Sequence, residues 1–514
     1  MTEREWREAS DMRRSTVTLA AILTIAAVLR FWGLGSGIPY SIGADEPAIM
    51  DRAVHMMKTG DFNPRFFDYP GLYIYLQLVV STLQFLAGAT AGTWRSLAEV
   101  TPADFYFWGR AVTATLGTAT VLLVYLAGMR WGTRYALFAA TLMAVLPQHV
   151  RESHYILPDV PVTFFVALAF VLTLRATEQQ RAGAFAWAGA AAGLAAGTKY
   201  TGGLAFVLPL LAVWMAPGVK PSRRVAAIAA IGACAAAFLI VAPYTVLDLP
   251  AFLDGYANLA AGDNAPVEAP GWSIALKHLR IGLQWPALLA VLGGVVLAIV
   301  RTFKGPGSVR WTLAVAFPLL CFGVVSKQAL ISGRDLLPLT PFACVLAAAA
   351  VVSGVSLLRR YQIPRRPRTA LIAALTVAAL LPPAITSIGS NRTLSNVGTV
   401  DQAYRWIQQN VAESSTIVIE SRALLLPAGK HRSFNVVELR RQDYEHYQSH
   451  GVDYLVASSQ CYGPYFHNPQ RYPTEYADYM RIFEQSTELV RFVPSKDHPG
   501  PELRILKVAG GQSP

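Results

Sequence analysis

The chain has 514 residues, of which 53% are hydrophobic and only 15% charged, against roughly 25% charged in an average soluble chain. That balance excludes a simple cytosolic enzyme. Lys and Arg number 44 against 32 Asp and Glu, a net charge of +12, and in so apolar a chain the excess belongs to cytoplasmic loops rather than to a nucleic-acid site.

In chain order the apolar segments run over about 16–33, 70–90, 107–129, 135–149, 158–174, 183–198, 201–217, 225–247, 282–300, 311–326, 335–358 and 369–388. Basic residues gather in short loops between them: Arg130 and Arg134; Arg175 and Arg181; Lys220, Arg223 and Arg224; Arg301, Lys304 and Arg310; and Arg359, Arg360, Arg365, Arg366 and Arg368. The positive-inside rule makes these loops cytoplasmic, together with the N-terminal stretch carrying Arg4, Arg7, Arg13 and Arg14. Three crossings before Arg130 would put these two cytoplasmic regions on opposite sides. The conflict disappears if 70–90, with Tyr73, Tyr75, Gln77 and Gln84, lies as a helix at the outer interface. The reading is then about eleven transmembrane helices plus one interfacial helix. The alternative is a twelfth span with part of the chain inverted.

On this topology 34–106, 150–157 and 248–281 are outer loops, and 1–388 forms an all-α polytopic membrane bundle. The tail, 389–514, changes period: WIQQNV is helical, while TIVIES, FNVVEL, DYLVAS, ELVRFV and LRILKV read as strands. It is expected to be a small extracytoplasmic α/β domain. Cys234, Cys321 and Cys344 fall in apolar segments and Cys461 stands alone in this tail, so neither a disulfide framework nor a cysteine metal spacing is present.

Ionisable residues near a membrane are costly and therefore mark function. Asp45, Glu46, Asp68, Arg110, Asp159, Lys199 and Arg334 all fall at outer ends of segments. A carboxylate that accepts a hydroxyl proton and cations that hold a phosphate leaving group make a coherent reaction. Each has a structural reading too: Asp45, Glu46 and Asp159 as helix caps, Arg110 as a snorkelling charge, His154 and Tyr155 as loop packing, Lys199 as a hairpin charge, and Arg334 as the partner of Asp335. Arg30 reads as a snorkelling anchor.

The stretch ADEPAIMDRAVHMMKTGDFNPRFFDYPGLYIYLQLV resembles the first outer loop of the polytopic GT-C glycosyltransferases, in particular the group of protein O-mannosyltransferases and lipid A aminoarabinose transferases. WGRAVTATLGT, RESHYILPDVPVTFFVAL, GLAAGTKYTGG and GRDLLPLTPF are similar to later landmarks of that group in the same order. Tyr69-Pro70-Gly71 departs from the group, where a His-Pro-Pro or Glu-Lys-Pro run is common. The resemblance implies a glycosyltransferase in the inner (plasma) membrane that takes one sugar from a polyprenyl-phosphate donor to an acceptor hydroxyl on a glycan, lipid or protein at the outer face. It implies Asp45 as the base of an inverting displacement, with Glu46 and Asp159 beside it in the catalytic set. Arg110, Lys199 or Arg334 is expected on the donor phosphate, and Asp68, Tyr69, His154 and Tyr155 in the acceptor or donor pocket. Whether a divalent metal joins Asp45, Asp68 and Asp159 is left open, and no other cofactor is implied. The rival function is a lipid-linked-sugar flippase or transporter.

Overall fold

A computed structural model describes residues 3–38, 45–262, 270–303, 307–328, 331–360, 365–421, 423–426 and 431–510. Lys304 of the basic loops lies outside the described residues. Backbone proximity divides the chain into two units: Met1–Leu34 with Ala48–Ser390, and Gly35–Pro47 with Asn391–Pro514. Thus the stretch leading to Asp45, read from sequence as part of a single outer loop 34–106, groups with the C-terminal unit.

The first unit is helical. Its helices are α1 (Glu3–Phe31), α2 (Glu46–Thr59, which begins in the other unit), α3 (Leu72–Thr90), α4 (Tyr106–Gly128), α5 (Thr133–Val145), α6 (Pro147–Glu152), α7 (Asp159–Gln179), α8 (Ala182–Thr198), α9 (Val207–Met215), α10 (Arg223–Val241), α11 (Tyr244–Leu247), α12 (Leu249–Gly262), α13 (Gly271–Leu283), α14 (Trp285–Thr302), α15 (Ser308–Val325), α16 (Thr340–Arg360) and α17 (Arg365–Leu394, whose last residues belong to the second unit). Every apolar segment read from the sequence is helical, but 135–149 and 225–247 are each broken into two helices, and 201–217 and 335–358 begin as 3-10 turns, Tyr200–Phe206 and Gly333–Leu339. Among the described residues nine stretches are long and apolar enough to cross a membrane, Leu72–Thr90 among them.

Side chains fix which helix ends share a level. At one end Arg130 pairs with Glu178, Arg310 Nη1 donates to the Arg130 carbonyl at 2.7 Å, and Lys220 N donates to Gln180 O at 2.8 Å. The basic loops at 130, 180, 220 and 310 therefore meet at one end of the bundle. Asp159, the first residue of α7, lies about 30 Å from there, the length of a 21-residue helix. Arg110 Nη1 donates to Leu34 O at 3.1 Å, so the chain leaves α1 and enters α4 at the same end. Along α3, Tyr73 bonds Thr113 at 2.5 Å, Gln77 donates to Gly109 O, and Gln84 to Asp104 O. α3 thus runs antiparallel to the start of α4 and out past it.

Close packing places α8. Gly189 and Gly193 face α10 so tightly that a Cβ on either would stand 2.2 Å from the carbonyl oxygen of Ala230 or Cys234. This is the small-residue packing by which helices approach closely without a hydrophobic driving force between them. It sets the end of α8, and with it Lys199.

Arg30 is not a snorkelling anchor. It is fully buried, and the cause lies in Pro147. A continuous helix would bond the amide of residue 147 to Met143 O, but proline has no N–H, so α5 stops and its last carbonyls lose their partners. Arg30 Nη2 donates to Met143 O at 3.0 Å, and Nη1 to Ala144 O at 3.0 Å and to Ala26 O at 3.1 Å. Ser387 Oγ completes the set on Val145 O at 2.7 Å. Gly117 of α4 leaves the room, since a Cβ there would meet Arg30 Cδ and Nε at 3.1 Å.

The second unit holds α18 (Thr399–Asn410), strands β1 (Thr416–Glu420), β2 (Arg432–Val436), β3 (Tyr454–Ser458), β4 (Thr487–Phe492) and β5 (Leu503–Lys507), and α19 (Tyr444–Ser449), α20 (Ser459–His467) and α21 (Pro473–Gln485). The sheet order is β2-β1-β3-β5-β4, with β1 parallel to β2 and β3, and β5 antiparallel to β3 and β4. Alternation sorts the side chains: Ile417, Ile419 and Val456 pack with Ala403 and Ile407 of α18, while Val418, Leu455 and Leu506 pack with Tyr447, Tyr462 and Tyr479. Glu420 is buried at the end of β1. It accepts from the amides of Leu439 and Ser458 and from the Tyr479 hydroxyl. Burial still pushes its carboxyl up to about 7, against the pull of those donors.

Candidate functional site

Away from the basic end, α7 begins at Asp159, α8 ends at Lys199, and a 3-10 turn, Gly333–Leu339, leads into α16. Three distant parts of the sequence meet there. Lys199 Nζ donates to Asp159 Oδ1 at 2.7 Å and to Asp335 Oδ1 at 2.7 Å. Asp335 is held in turn by Ser332, whose N and Oγ donate to Oδ2 at 2.9 and 2.8 Å. Lys199 is therefore neither a bare hairpin charge nor an uncommitted phosphate ligand. It is bound to two carboxylates, and the trio carries net negative charge.

Beside it lies Glu152, a residue that the sequence reading passed over. It is buried at the end of α6, where Oε1 accepts from Gln148 Nε2 at 2.8 Å and from Arg151 at 2.7 and 3.0 Å. Burial raises its carboxyl above the usual range; Asp159 adds to that shift and Arg151 and Arg334 oppose it. Glu152, Asp159 and Arg334 thus share one electrostatic neighbourhood. The available sequence signal was an acidic residue four positions after Gln148 on a short apolar helix.

Arg110 is buried, and its guanidinium lies 5.8 Å from the centre of the Tyr155 ring. Tyr155 belongs to the loop between Glu152 and Asp159, so Arg110 meets the same loop from α4. His154 is buried, with Nδ1 at 2.9 Å from Val150 O and Nε2 at 3.0 Å from Trp32 O, so both ring nitrogens lie against backbone carbonyls.

Asp68 belongs to a cavity whose lining does not include Lys199. It is exposed and lines an open cavity of about 420 Å³ with Asn63, Arg65, Phe66, Phe67, Asp248, Ala251 and Gly255. Asn63 Nδ2 donates to Asp248 Oδ2 at 2.7 Å, and Tyr200, next to Lys199, donates its hydroxyl to Phe67 O at 2.9 Å. Asp248, Ala251 and Gly255, at the start of the 248–281 loop, thereby form one wall of this cavity. Tyr69 is half-buried, with its ring edge-on to Phe66 at 5.8 Å. In the other unit, Asp45 occupies the turn before α2 and Glu46 is the buried first residue of that helix, where a negative charge suits the helix dipole. Among the described residues no three His, Cys, Asp or Glu side chains are grouped to share a metal ion.

Residues 66–253 match the family model of the dolichyl-phosphate-mannose-protein mannosyltransferases. Among solved structures, ArnT of Cupriavidus metallidurans, with undecaprenyl phosphate bound, is similar at a TM-score of 0.56 and 14% identity over 97% of this chain and 99% of that one. The chain has the GT-C glycosyltransferase fold. The oligosaccharyltransferase of Archaeoglobus fulgidus, tethered to an acceptor peptide containing the NVT sequon, is similar at a TM-score of 0.56 and 12% identity, over 95% of this chain and 74% of that one. The same archaeal enzyme, AglB, in complex with an inhibitory peptide and a dolichol-phosphate, aligns at 0.54 and 13% identity over 87% of this chain and 70% of that one. No curated protein sequence matches. The GT-C segment of family likeness, 66–253, includes Asp68, Arg110, Glu152, Asp159 and Lys199.

Proposed function

We propose that this chain is an integral-membrane glycosyltransferase that moves one sugar from a polyprenyl-phosphate-linked donor to an acceptor hydroxyl at the extracytoplasmic face. What carries the reading is a GT-C fold whose mannosyltransferase-like segment brings Asp159 and Lys199 together at the end opposite the basic loops. With those loops in the cytoplasm of an inner-membrane protein, the N-terminus is cytoplasmic and the cluster faces out. The contacts of Arg110 with Leu34 and of Gln84 with Asp104 support eleven spans, with α3 at the outer interface. The domain after 388 is then extracytoplasmic.

In this reaction the acceptor hydroxyl attacks the anomeric carbon, the bond to the phosphate oxygen breaks, and the lipid phosphate leaves. Asp45 takes the hydroxyl proton, and a single displacement inverts the centre. Because an aspartate is a weak base, proton loss follows the build-up of glycosyl-cation character. Arg110 or Arg334 receives the phosphate, since a planar guanidinium binds it in bidentate fashion. The cavity beside Asp68 and Asp248 takes the acceptor: carboxylates accept bonds from vicinal hydroxyls, and Phe66 and Phe67 offer apolar faces.

The experiment is to incubate the detergent-solubilised protein with polyprenyl-phosphate sugars and candidate acceptors, and to follow free polyprenyl phosphate by mass spectrometry. A transferase releases it without any sealed membrane. Strict dependence on sealed vesicles, with the lipid-linked sugar crossing intact, identifies a flippase instead.

A further inference from the structure

Asp159 is 1% exposed, and its two carboxylate oxygens are treated unequally. Oδ1 accepts from Lys199 at 2.7 Å, while Oδ2 is buried and has no hydrogen-bond partner among the described residues. Buried carboxylate oxygens are ordinarily paired, and a structural ion pair has every reason to use both. The ammonium has three donors and could share itself between the two oxygens of Asp159. Asp335 draws a second donor to its own Oδ1 at 2.7 Å and so holds the ammonium between the two carboxylates, on the Oδ1 side of Asp159. Asp335 cannot yield, because Ser332 N and Oγ hold its other oxygen.

The geometry points to Asp335 as a positioning residue that keeps Lys199 on one oxygen of Asp159 and leaves the other, Oδ2, to accept a hydrogen bond from a substrate hydroxyl. The inference rests on the proposed transferase reading, which places Asp159 in the site. Two carboxylates around one ammonium leave negative charge at Oδ2, so the group it selects is a donor, a sugar or acceptor hydroxyl, and not a phosphate. The chain of control runs from Ser332 through Asp335 and Lys199 to Asp159, four residues that sequence distance alone does not connect.

The test is a double-mutant cycle on the full-length protein, with kcat and KM for transfer measured alongside thermal stability. Asp335→Ala is expected to lower kcat about 10- to 100-fold, as misplacement of a substrate-orienting group does. The double variant Asp335→Ala/Asp159→Asn should be no slower than Asp159→Asn alone, because Asp335 acts only through Asp159. Ser332→Ala, which loosens Asp335 without removing a charge, should lower kcat by less and leave the melting temperature unchanged; it carries the test if Asp335→Ala does not fold. Additive effects in the cycle, or wild-type kcat in both Asp335→Ala and Ser332→Ala, overturn the inference while leaving the transferase reading intact. Undiminished turnover in Asp159→Asn removes Asp159 from the site and overturns the inference, and it too leaves the transferase reading intact.

Discussion

Asp45→Asn is expected to abolish sugar transfer while the protein still folds and still binds its lipid donor. Loss of a general base costs about 10²- to 10⁴-fold in rate, and because the base acts only in the transition state, the loss falls on kcat with KM for the donor little changed. Asn fills the same volume in the turn before α2, so stability is not the quantity that moves. Steady-state kinetics with a purified polyprenyl-phosphate sugar and a thermal melt of the same preparation check both halves. Near-normal turnover refutes Asp45 as the base.

Arg30→Ala is expected to prevent accumulation of the folded protein. The change strips the donors from Met143 O and Ala144 O, which have no helical partner beyond Pro147, and each buried carbonyl left unpaired costs about 1–3 kcal/mol. A loss on the order of 2–6 kcal/mol follows, comparable to the whole margin of many folded proteins. Arg30→Lys keeps a cation with three donors but not the planar reach of two terminal nitrogens, so it should fall between wild type and Ala. Yield of monodisperse protein in detergent and its melting temperature read the effect. A snorkelling side chain, by contrast, would tolerate Lys without measurable change.

These residues also show what was legible in the sequence. Apolar runs with a helical or a two-residue period survive as helices and as β1 through β5 because burial is repeated at every turn or pleat, and many residues agree on one answer, whereas α2, α12 and α13 fell in stretches read as outer loops. Asp159 and Lys199 were each visible because ionisable residues near a membrane are costly and stand out from their apolar surroundings. Their bond to Asp335 was not: the sequence set Asp335 beside Arg334, whereas the fold turns it toward a lysine 136 positions away. Arg30 was misread for a similar reason. An arginine near a helix end has one local pattern whether it reaches water or is buried, and the deciding fact is the missing N–H of Pro147. Glu152 was hidden by its neighbour Arg151, which made the pair look like ordinary solvated charges. His154 looked chemical because histidine titrates near neutrality, yet the carbonyls of Val150 and Trp32 occupy both its nitrogens.

The most direct measurement is to determine the structure of the protein with a polyprenyl phosphate bound and to locate the phosphorus atom. The account predicts a phosphate within hydrogen-bond distance of Arg110 or Arg334, level with Asp159 at the end of the bundle opposite the 130, 180, 220 and 310 loops, with Lys199 still joined to Asp159 and Asp335. A phosphate bound halfway along the bundle, or at the basic end, contradicts it.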